Sequence, residues 1–341
     1  MSDIPLLPTM GVGSYAAPGW FVAVRGLMRK GELGPHDIAE ALDDATRVAV
    51  ADQIEAGLDI LSDGELRRQR FVFEMYDNVD GLERIAPARR LGVPGYDMAP
   101  AFIARGPIAA PRGFGVVEDF LALKHLAPDR PLKLALPGPL TFALAVQAGD
   151  RDEAQVMDEI INMVRHELKA LVAAGADYIQ LDEPSFPSPP FGLSLDEGAA
   201  VINQALAGLP GRLAVHICFG NNAGRPFADR SLSRLMAAAE RLECGQLVLE
   251  FANREMAEVE VLDPLAKHFD IAAGVIDVKN FHLESAESVA HRIRRCLEHV
   301  PAEKLTVTAD CGFSALPRYL ARQKLEAMVA GTRLVRAELA P

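Results

Sequence analysis

Aromatic side chains are scarce: the 341 residues include one Trp, five Tyr and fifteen Phe. No basic run occurs, and with 35 basic against 47 acidic residues the net charge is −12. A polyanion therefore finds neither an electrostatic footprint nor a series of stacking faces, which argues against nucleic-acid binding. No apolar run reaches the ~18 residues that a membrane-spanning helix needs. The opening Met1-Ser2-Asp3-Ile4-Pro5 has neither a charged n-region nor an apolar h-region. The expectation is a cytosolic (cytoplasmic) protein with no membrane partner. Cysteine is also sparse, with four residues at 218, 244, 296 and 311. Their spacing is not that of a small disulfide scaffold, so they are expected as thiols, suited to metal binding or to inert burial. No internal repeat or low-complexity linker is present.

What the chain does have is apolar mass, 50% of its residues, enough to bury a large core as one big barrel or as two domains. Short apolar runs alternate with helical stretches. Strand candidates are Thr9 to Tyr15, Leu58 to Ser62, Lys133 to Leu136, Tyr178 to Leu181, Leu213 to Ile217, Leu247 to Glu250, Ala273 to Asp277 and Leu305 to Ala309. Helical periodicity covers Ile38 to Ala56 after Pro35, Ala154 to Ala174 before Gly175, and Ser285 to His299 before Pro301. Eight strand candidates, each too apolar to be half exposed, suit an α/β fold of the (β/α)8 TIM-barrel type. The reading is one domain over 1–341, with an insertion after the second strand. That insertion, about 81–131, is rich in Pro, Gly and Arg (Pro87, Arg89, Arg90, Gly92, Pro94, Gly95, Pro100, Gly106, Pro107, Pro111, Gly113). It reads as an excursion or hairpin, in the class of lids, binding loops and passive surface insertions.

In such a barrel the chemistry gathers at the C-terminal strand ends. There the successive runs carry Gly13-Ser14, Asp63-Gly64-Glu65, Pro137-Gly138-Pro139, Asp182-Glu183-Pro184, His216-Ile217-Cys218, Glu250, Asp277-Val278-Lys279 and Asp310-Cys311-Gly312. Nearly every strand thus ends in a polar or ligand residue. Two soft thiolates, an imidazole and a carboxylate from three strand ends make a mixed tetrahedral zinc site of His216, Cys218, Glu250 and Cys311. A lone Cys is more often a small buried hydrophobe, and Cys244 and Cys296 lack any such partner.

In this order the motifs resemble those of the cobalamin-independent methionine synthase family, in particular its short single-barrel members similar to the catalytic C-terminal domain. They are Gly13-Ser14, Gly57-Leu58-Asp59-Ile60-Leu61 with Asp63-Gly64-Glu65, Gly138-Pro139-Leu140-Thr141, Tyr178-Ile179-Gln180-Leu181-Asp182-Glu183-Pro184, His216-Ile217-Cys218, Leu249-Glu250, Gly274-Val275-Ile276-Asp277 and Asp310-Cys311-Gly312. The resemblance implies a zinc enzyme whose Glu250 can yield its place to the substrate sulfur. It also implies that Ser14, Glu65 and Asp182 hold the amino-acid end of homocysteine. Zinc lowers the pKa of a thiol so that it binds as the nucleophilic thiolate.

Two departures bear on the methyl donor. The family's pterin-stacking Trp, four residues after the Thr of Gly-Pro-x-Thr, is here Ala145, and the chain's one Trp is Trp20. At strand seven the family's proton-donating His is replaced by Lys279, a weaker acid at neutral pH. Lys279 and Asp310 are therefore the candidate catalytic residues, and pairing of Lys279 with Asp277 or Asp310 is the plainer alternative. Full-length enzymes of the family carry a second barrel that helps bind folate, and the expectation here is a single barrel without it.

The leading expectation is a zinc-dependent thiol S-methyltransferase that makes methionine from homocysteine with a donor other than methyltetrahydrofolate. A methylated corrinoid protein or another small donor would then supply the methyl group. The alternative is a zinc alkyltransferase acting on another thiol, like the epoxyalkane–coenzyme M transferases, where a sulfonate would favour Lys279, Arg67 or Arg68. A uroporphyrinogen decarboxylase-like barrel fits less well, because such barrels lack the His-x-Cys and the distant Cys.

Overall fold

The computed structural model describes residues 4–68, 71–86, 100–220, 226 and 228–340. Two helices come first, α1 (Gly19–Lys30) and α2 (Pro35–Ala56). An antiparallel pair, β1 (Asp80–Ile85) and β2 (Ala101–Ala109), and helix α3 (Val116–Leu126) follow. Next are β3 (Leu134–Pro137), α4 (Pro139–Ala143), β4 (Val146–Gln147), α5 (Glu153–Ala173), β5 (Tyr178–Asp182), α6 (Leu195–Leu206) and β6 (Arg212–Ile217). The chain ends with α7 (Met236–Ala239), β7 (Gln246–Glu250), α8 (Leu262–Leu265), β8 (Asp270–Ile276), α9 (Ala286–Leu297), β9 (Leu305–Ala309) and α10 (Arg318–Leu339).

Six strands form one parallel sheet in the order β3-β5-β6-β7-β8-β9. Isolated parallel bridges carry the pairing onward from Val307 to Thr9, from Met10 to Ile60, and from Leu61 to Leu132, just before β3. The ladder thus returns to its own first strand. The fold is α/β, with the parallel strands and covering helices that the sequence led us to expect.

The two segments predicted as the first strands, Thr9 to Tyr15 and Leu58 to Ser62, are reduced to these short bridges, and side chains have taken the place of ladder bonds. The Lys133 ammonium donates to Gly11 O and Val12 O, both at 2.7 Å, and Gln180 Nε2 donates to Val12 O at 3.0 Å. In the second segment Gln53 closes a loop with Ser62: Ser62 N donates to Gln53 Oε1 at 3.0 Å and Gln53 Nε2 to Ser62 O at 2.9 Å. Backbone groups satisfied in this way need no neighbouring strand.

The predicted excursion holds β2, which pairs antiparallel with β1 and in parallel with β4, the latter beyond its bounds, and α3, which packs against α2 and α5. Pro87, Arg89, Arg90, Gly92, Pro94 and Gly95 lie outside the described residues.

Helix limits follow their local signals. Pro35 opens α2 and Gly57, at φ 87°, closes it in the left-handed region. Asp152 caps α5 by accepting from Gln155 N, and Ser285 caps α9 by accepting from Ser288 N. No helix among the described residues is long and apolar enough to cross a membrane.

The side-chain period of 2 places the site. Met10, Val12, Ile60, Tyr178, Ala214, Val248 and Ala272 form a small buried cluster separate from the main core. Two residues on from Ala214 and Val248 come His216 and Glu250, on the same faces of their strands. An apolar plug therefore underlies a polar layer at the C-terminal strand ends.

Candidate metal and substrate site

Strand register brings the candidate ligands to one level. Asp182 pairs with His216 across β5 and β6, Glu250 with Gly274 across β7 and β8, and Ile276 with Ala309 just before Asp310 and Cys311. The ligand atoms of His216, Cys218 and Cys311 all lie within 4.8 Å of one another. His216 Nδ1 is 2.9 Å from Asp182 Oδ1. A carboxylate accepts, so Nδ1 carries the proton and Nε2 presents its lone pair. That Nε2 is buried without a hydrogen-bond partner among the described residues, in the position a metal ion would satisfy. The Cys311 thiol lies well above the ordinary thiol range through its hydrogen bond to Cys218 and through burial. A cation between them would reverse this. The donor set therefore fits a zinc ion held by one nitrogen and two sulfurs.

Glu250, expected as the fourth ligand, does not join this group. Its Oε2 accepts from Lys279 Nζ at 2.6 Å and from Phe219 N at 3.2 Å, and its Oε1 from Asn253 Nδ2 at 3.2 Å. Lys279 thus pairs with Glu250 rather than with Asp277 or Asp310. Asp310 instead anchors the chain after β7, accepting from Phe251 N and Ala252 N at 2.8 Å and from Asn253 N at 2.6 Å. Asp310→Asn is expected to lower the unfolding free energy by about 2 kcal/mol, because an amide nitrogen would then face backbone donors. Denaturant titration of the two proteins measures this.

Ser14, Glu65, Asp182, His216 and Cys311 line a single cavity of about 700 Å³, together with Arg25, Arg68, Phe73 and Leu144. The turn Asp63-Gly64-Glu65 delivers the carboxylate through a non-glycine residue with φ 55°, a strained conformation of the kind concentrated at functional sites. A Cβ at Gly13 would meet Glu65 Oε1 at 2.2 Å, so a side chain there would push the carboxylate from its place. Gly312 is restricted in the same way by Ser14 Oγ, at 1.9 Å from its hypothetical Cβ. Burial raises the Glu65 carboxyl to about 8, with Arg68 pulling it down and Asp182 and Asp63 pushing it further up.

Several supporting residues were not identified from the sequence. Lys133, fully buried, donates to Gln180 Oε1 at 2.6 Å, and Gln180 Nε2 donates to Asp182 Oδ1 at 2.7 Å. A hydrogen-bonded chain thus runs Lys133–Gln180–Asp182–His216 and orients the imidazole. Its one visible signal was a charge at the start of an apolar strand. Glu183 receives Leu140 N and Thr141 N at 3.0 Å and Thr141 Oγ1 at 2.8 Å, which fixes α4 against β5. Nothing in the sequence pointed to Arg25. It stands on α1 with its guanidinium 4.7 Å from the Phe21 ring centroid, and its buried Nε lacks a hydrogen-bond partner among the described residues.

Of the remaining candidates, Arg68 lines the cavity and pairs with Glu65 and Asp119, while Arg67 pairs with Asp43 and Asp119. Burial pushes the Cys244 and Cys296 thiols up to about 12, which leaves them inert. Ala145 accepts Phe102 N through its carbonyl. Trp20 is 43% exposed on α1 and is not among the lining residues.

The family described as the cobalamin-independent synthase catalytic domain matches residues 7–333. A methionine synthase of Saccharolobus solfataricus is 31% identical over 99% of this chain and 98% of its own. The structure of a B12-independent methionine synthase from Shewanella sp. W3-18-1, in complex with selenomethionine, superposes with a TM-score of 0.83 at 30% identity, covering 98% of this chain and 99% of that one. A putative vitamin-B12 independent methionine synthase from Listeria monocytogenes shares the fold at 23% identity and a TM-score of 0.71, over 95% and 96% of the two chains. The chain therefore belongs to the cobalamin-independent methionine synthase catalytic-domain family, a family of methyltransferases.

Proposed function

We propose that this protein transfers a methyl group to the thiol of homocysteine, giving methionine, in a zinc-dependent reaction whose donor is not methyltetrahydrofolate. The observation that carries this reading is the buried Nε2 of His216, without a hydrogen-bond partner among the described residues, beside Cys218 and Cys311, at the wall of a cavity that also holds Glu65 and Asp182. His216, Cys218 and Cys311 would hold the zinc, with Glu250 and the substrate sulfur as alternatives for the fourth position. Zinc, when bound, supplies Lewis acidity that keeps the substrate sulfur as thiolate at neutral pH.

The protein's own groups do the rest. Asp182 fixes the His216 tautomer through Nδ1, while Glu65 and Asp182 offer carboxylates to the substrate ammonium and the Ser14 hydroxyl faces its carboxylate. The sulfur lone pair forms the new bond to the methyl carbon. The bond from that carbon to the donor's leaving atom breaks, and its electron pair stays with the donor. The cavity has room beyond a small amino acid, and Ala145 offers no stacking face, so a small methylated molecule or a methylated corrinoid on a partner protein remains as the donor. We read residues 1–341 as one catalytic unit, with the 81–131 segment inserted into it and zinc as its cofactor. Support comes from the family match, and from a relative solved with the selenium analogue of methionine.

Calorimetry with homocysteine and with coenzyme M on the zinc-loaded protein tests the thiol, and turnover with methylcobalamin against methyltetrahydrofolate tests the donor. Binding of homocysteine with turnover on the corrinoid donor supports the proposal. Binding of the sulfonate alone would replace it with the alkyltransferase reading.

A further inference from the structure

Helix α3, carried by the excursion, brings a carboxylate to the turn that bears Glu65. Its first turn is tied to α5, because Glu167 accepts Phe114 N at 3.1 Å and Val116 N at 3.2 Å. Asp119 on that turn is buried; its Oδ1 lies 3.1 Å from Arg67 Nε and its Oδ2 lies 3.8 Å from Arg68 Nε. Arg67 is held a second time by Asp43 of α2, so its place is settled. Arg68 is less committed. Its Nη2 donates to Ala135 O at 2.9 Å but stands 3.4 Å from Glu65 Oε1, and its buried Nε lacks a hydrogen-bond partner among the described residues. One buried guanidinium thus stands between two buried carboxylates and makes a short hydrogen bond to neither. Burial lifts both carboxyls above their ordinary range, and for each of them Arg68 is the strongest cation drawing it down.

We infer that Asp119 is a positioning residue for the substrate ammonium: it takes the Arg68 guanidinium when homocysteine takes Glu65, and so leaves that carboxylate to the ligand. This rests on the homocysteine reading above. Two cations crowded onto Glu65 would repel each other strongly in a buried site. A short movement of Arg68 toward Asp119 relieves that repulsion and gives Arg68 Nε the acceptor it lacks. Asp119 itself is not among the residues that line the cavity. The inserted segment therefore acts on the substrate without touching it, through one carboxylate and one arginine.

The test compares two affinities on the full, zinc-loaded chain: homocysteine, and its des-amino analogue, the same thiol acid without the ammonium. Calorimetry is run above about pH 8, where the Glu65 carboxyl is ionised. The wild type should prefer homocysteine. Asp119→Asn leaves Arg68 to Glu65 alone, so it should cut that preference about tenfold, the scale of one charge-assisted hydrogen bond, by weakening homocysteine while the analogue binds as before. Asp119→Glu keeps the charge and should keep the wild-type preference. The double variant Asp119→Asn/Arg68→Gln removes the competing cation together with its carboxylate, so the preference should return. That variant also keeps the question measurable if Asp119→Asn alone fails to fold. Equal losses for the two ligands in Asp119→Asn, as a merely structural role would give, or a lowered preference in the double variant, would overturn the inference. A wild type that binds the analogue as tightly as homocysteine would instead overturn the placing of the substrate ammonium at Glu65, and with it the reading on which this rests.

Discussion

Cys218→Ser and Cys311→Ser are each expected to lose bound zinc and methyl transfer together, to below about 1% of wild type. A serine hydroxyl stays protonated at neutral pH and is a poor zinc ligand. With one thiol gone, the site falls to His216 and a single sulfur. Zinc content by elemental analysis, followed by a homocysteine turnover assay, gives both readings on one preparation. Cys244→Ser and Cys296→Ser are the internal controls, since those thiols lie outside the His216 group and their burial makes them unreactive. A variant at 218 or 311 that kept its zinc but lost activity would show that the metal is held elsewhere.

Glu65→Gln is expected to spare the metal and to weaken homocysteine by about 10- to 100-fold, the loss of one charge-assisted hydrogen bond to the substrate ammonium. Its pH behaviour separates this role from a merely structural one. Burial places the free Glu65 carboxyl at about 8, so below that pH the ligand's ammonium must drive off a proton before the pair forms. Homocysteine affinity should therefore rise with pH up to about 8, by as much as about tenfold per unit from this group. Ionisation of the substrate thiol adds to the slope in the same direction. Glu65→Gln should flatten the slope by about one order per unit and leave the thiol's share in place. Stability runs the opposite way. A carboxyl raised from 4.5 to about 8 on folding contributes stability that is fully present below about pH 4.5 and is lost as the pH rises through about 8. Calorimetric titration of both proteins between pH 6 and 9 would decide it, and equal slopes would remove Glu65 from the substrate site.

Much of this was legible in the sequence because strand-end chemistry leaves a local signature. The runs ending in His216-Ile217-Cys218, Leu249-Glu250 and Asp310-Cys311 are largely apolar up to the final residues, so both the strand and its candidate ligands can be read at once. The parallel sheet and the helices α2, α5 and α9 followed from the same alternation and from their caps. The first two strands were less legible. Their hydropathy is that of strands, but their carbonyls and amides bond to Lys133, Gln180 and Gln53, long-range choices that no local pattern encodes. The partner of Lys279 was out of reach for the same reason. Asp277 and Asp310 were the acidic neighbours that came to mind, yet the fold brings Glu250, 29 residues away, to 2.6 Å. Arg25 shows the limit most plainly: a surface-looking arginine in an amphipathic helix lines the cavity, a placement that no local pattern encodes.

In the proposed reaction the substrate sulfur joins His216, Cys218 and Cys311 on one zinc ion. X-ray absorption at the zinc edge counts sulfur neighbours directly at about 2.3 Å. Two sulfurs in the free zinc protein, rising to three when homocysteine is added, is the result expected here. A count unchanged by homocysteine at saturating concentration would contradict it.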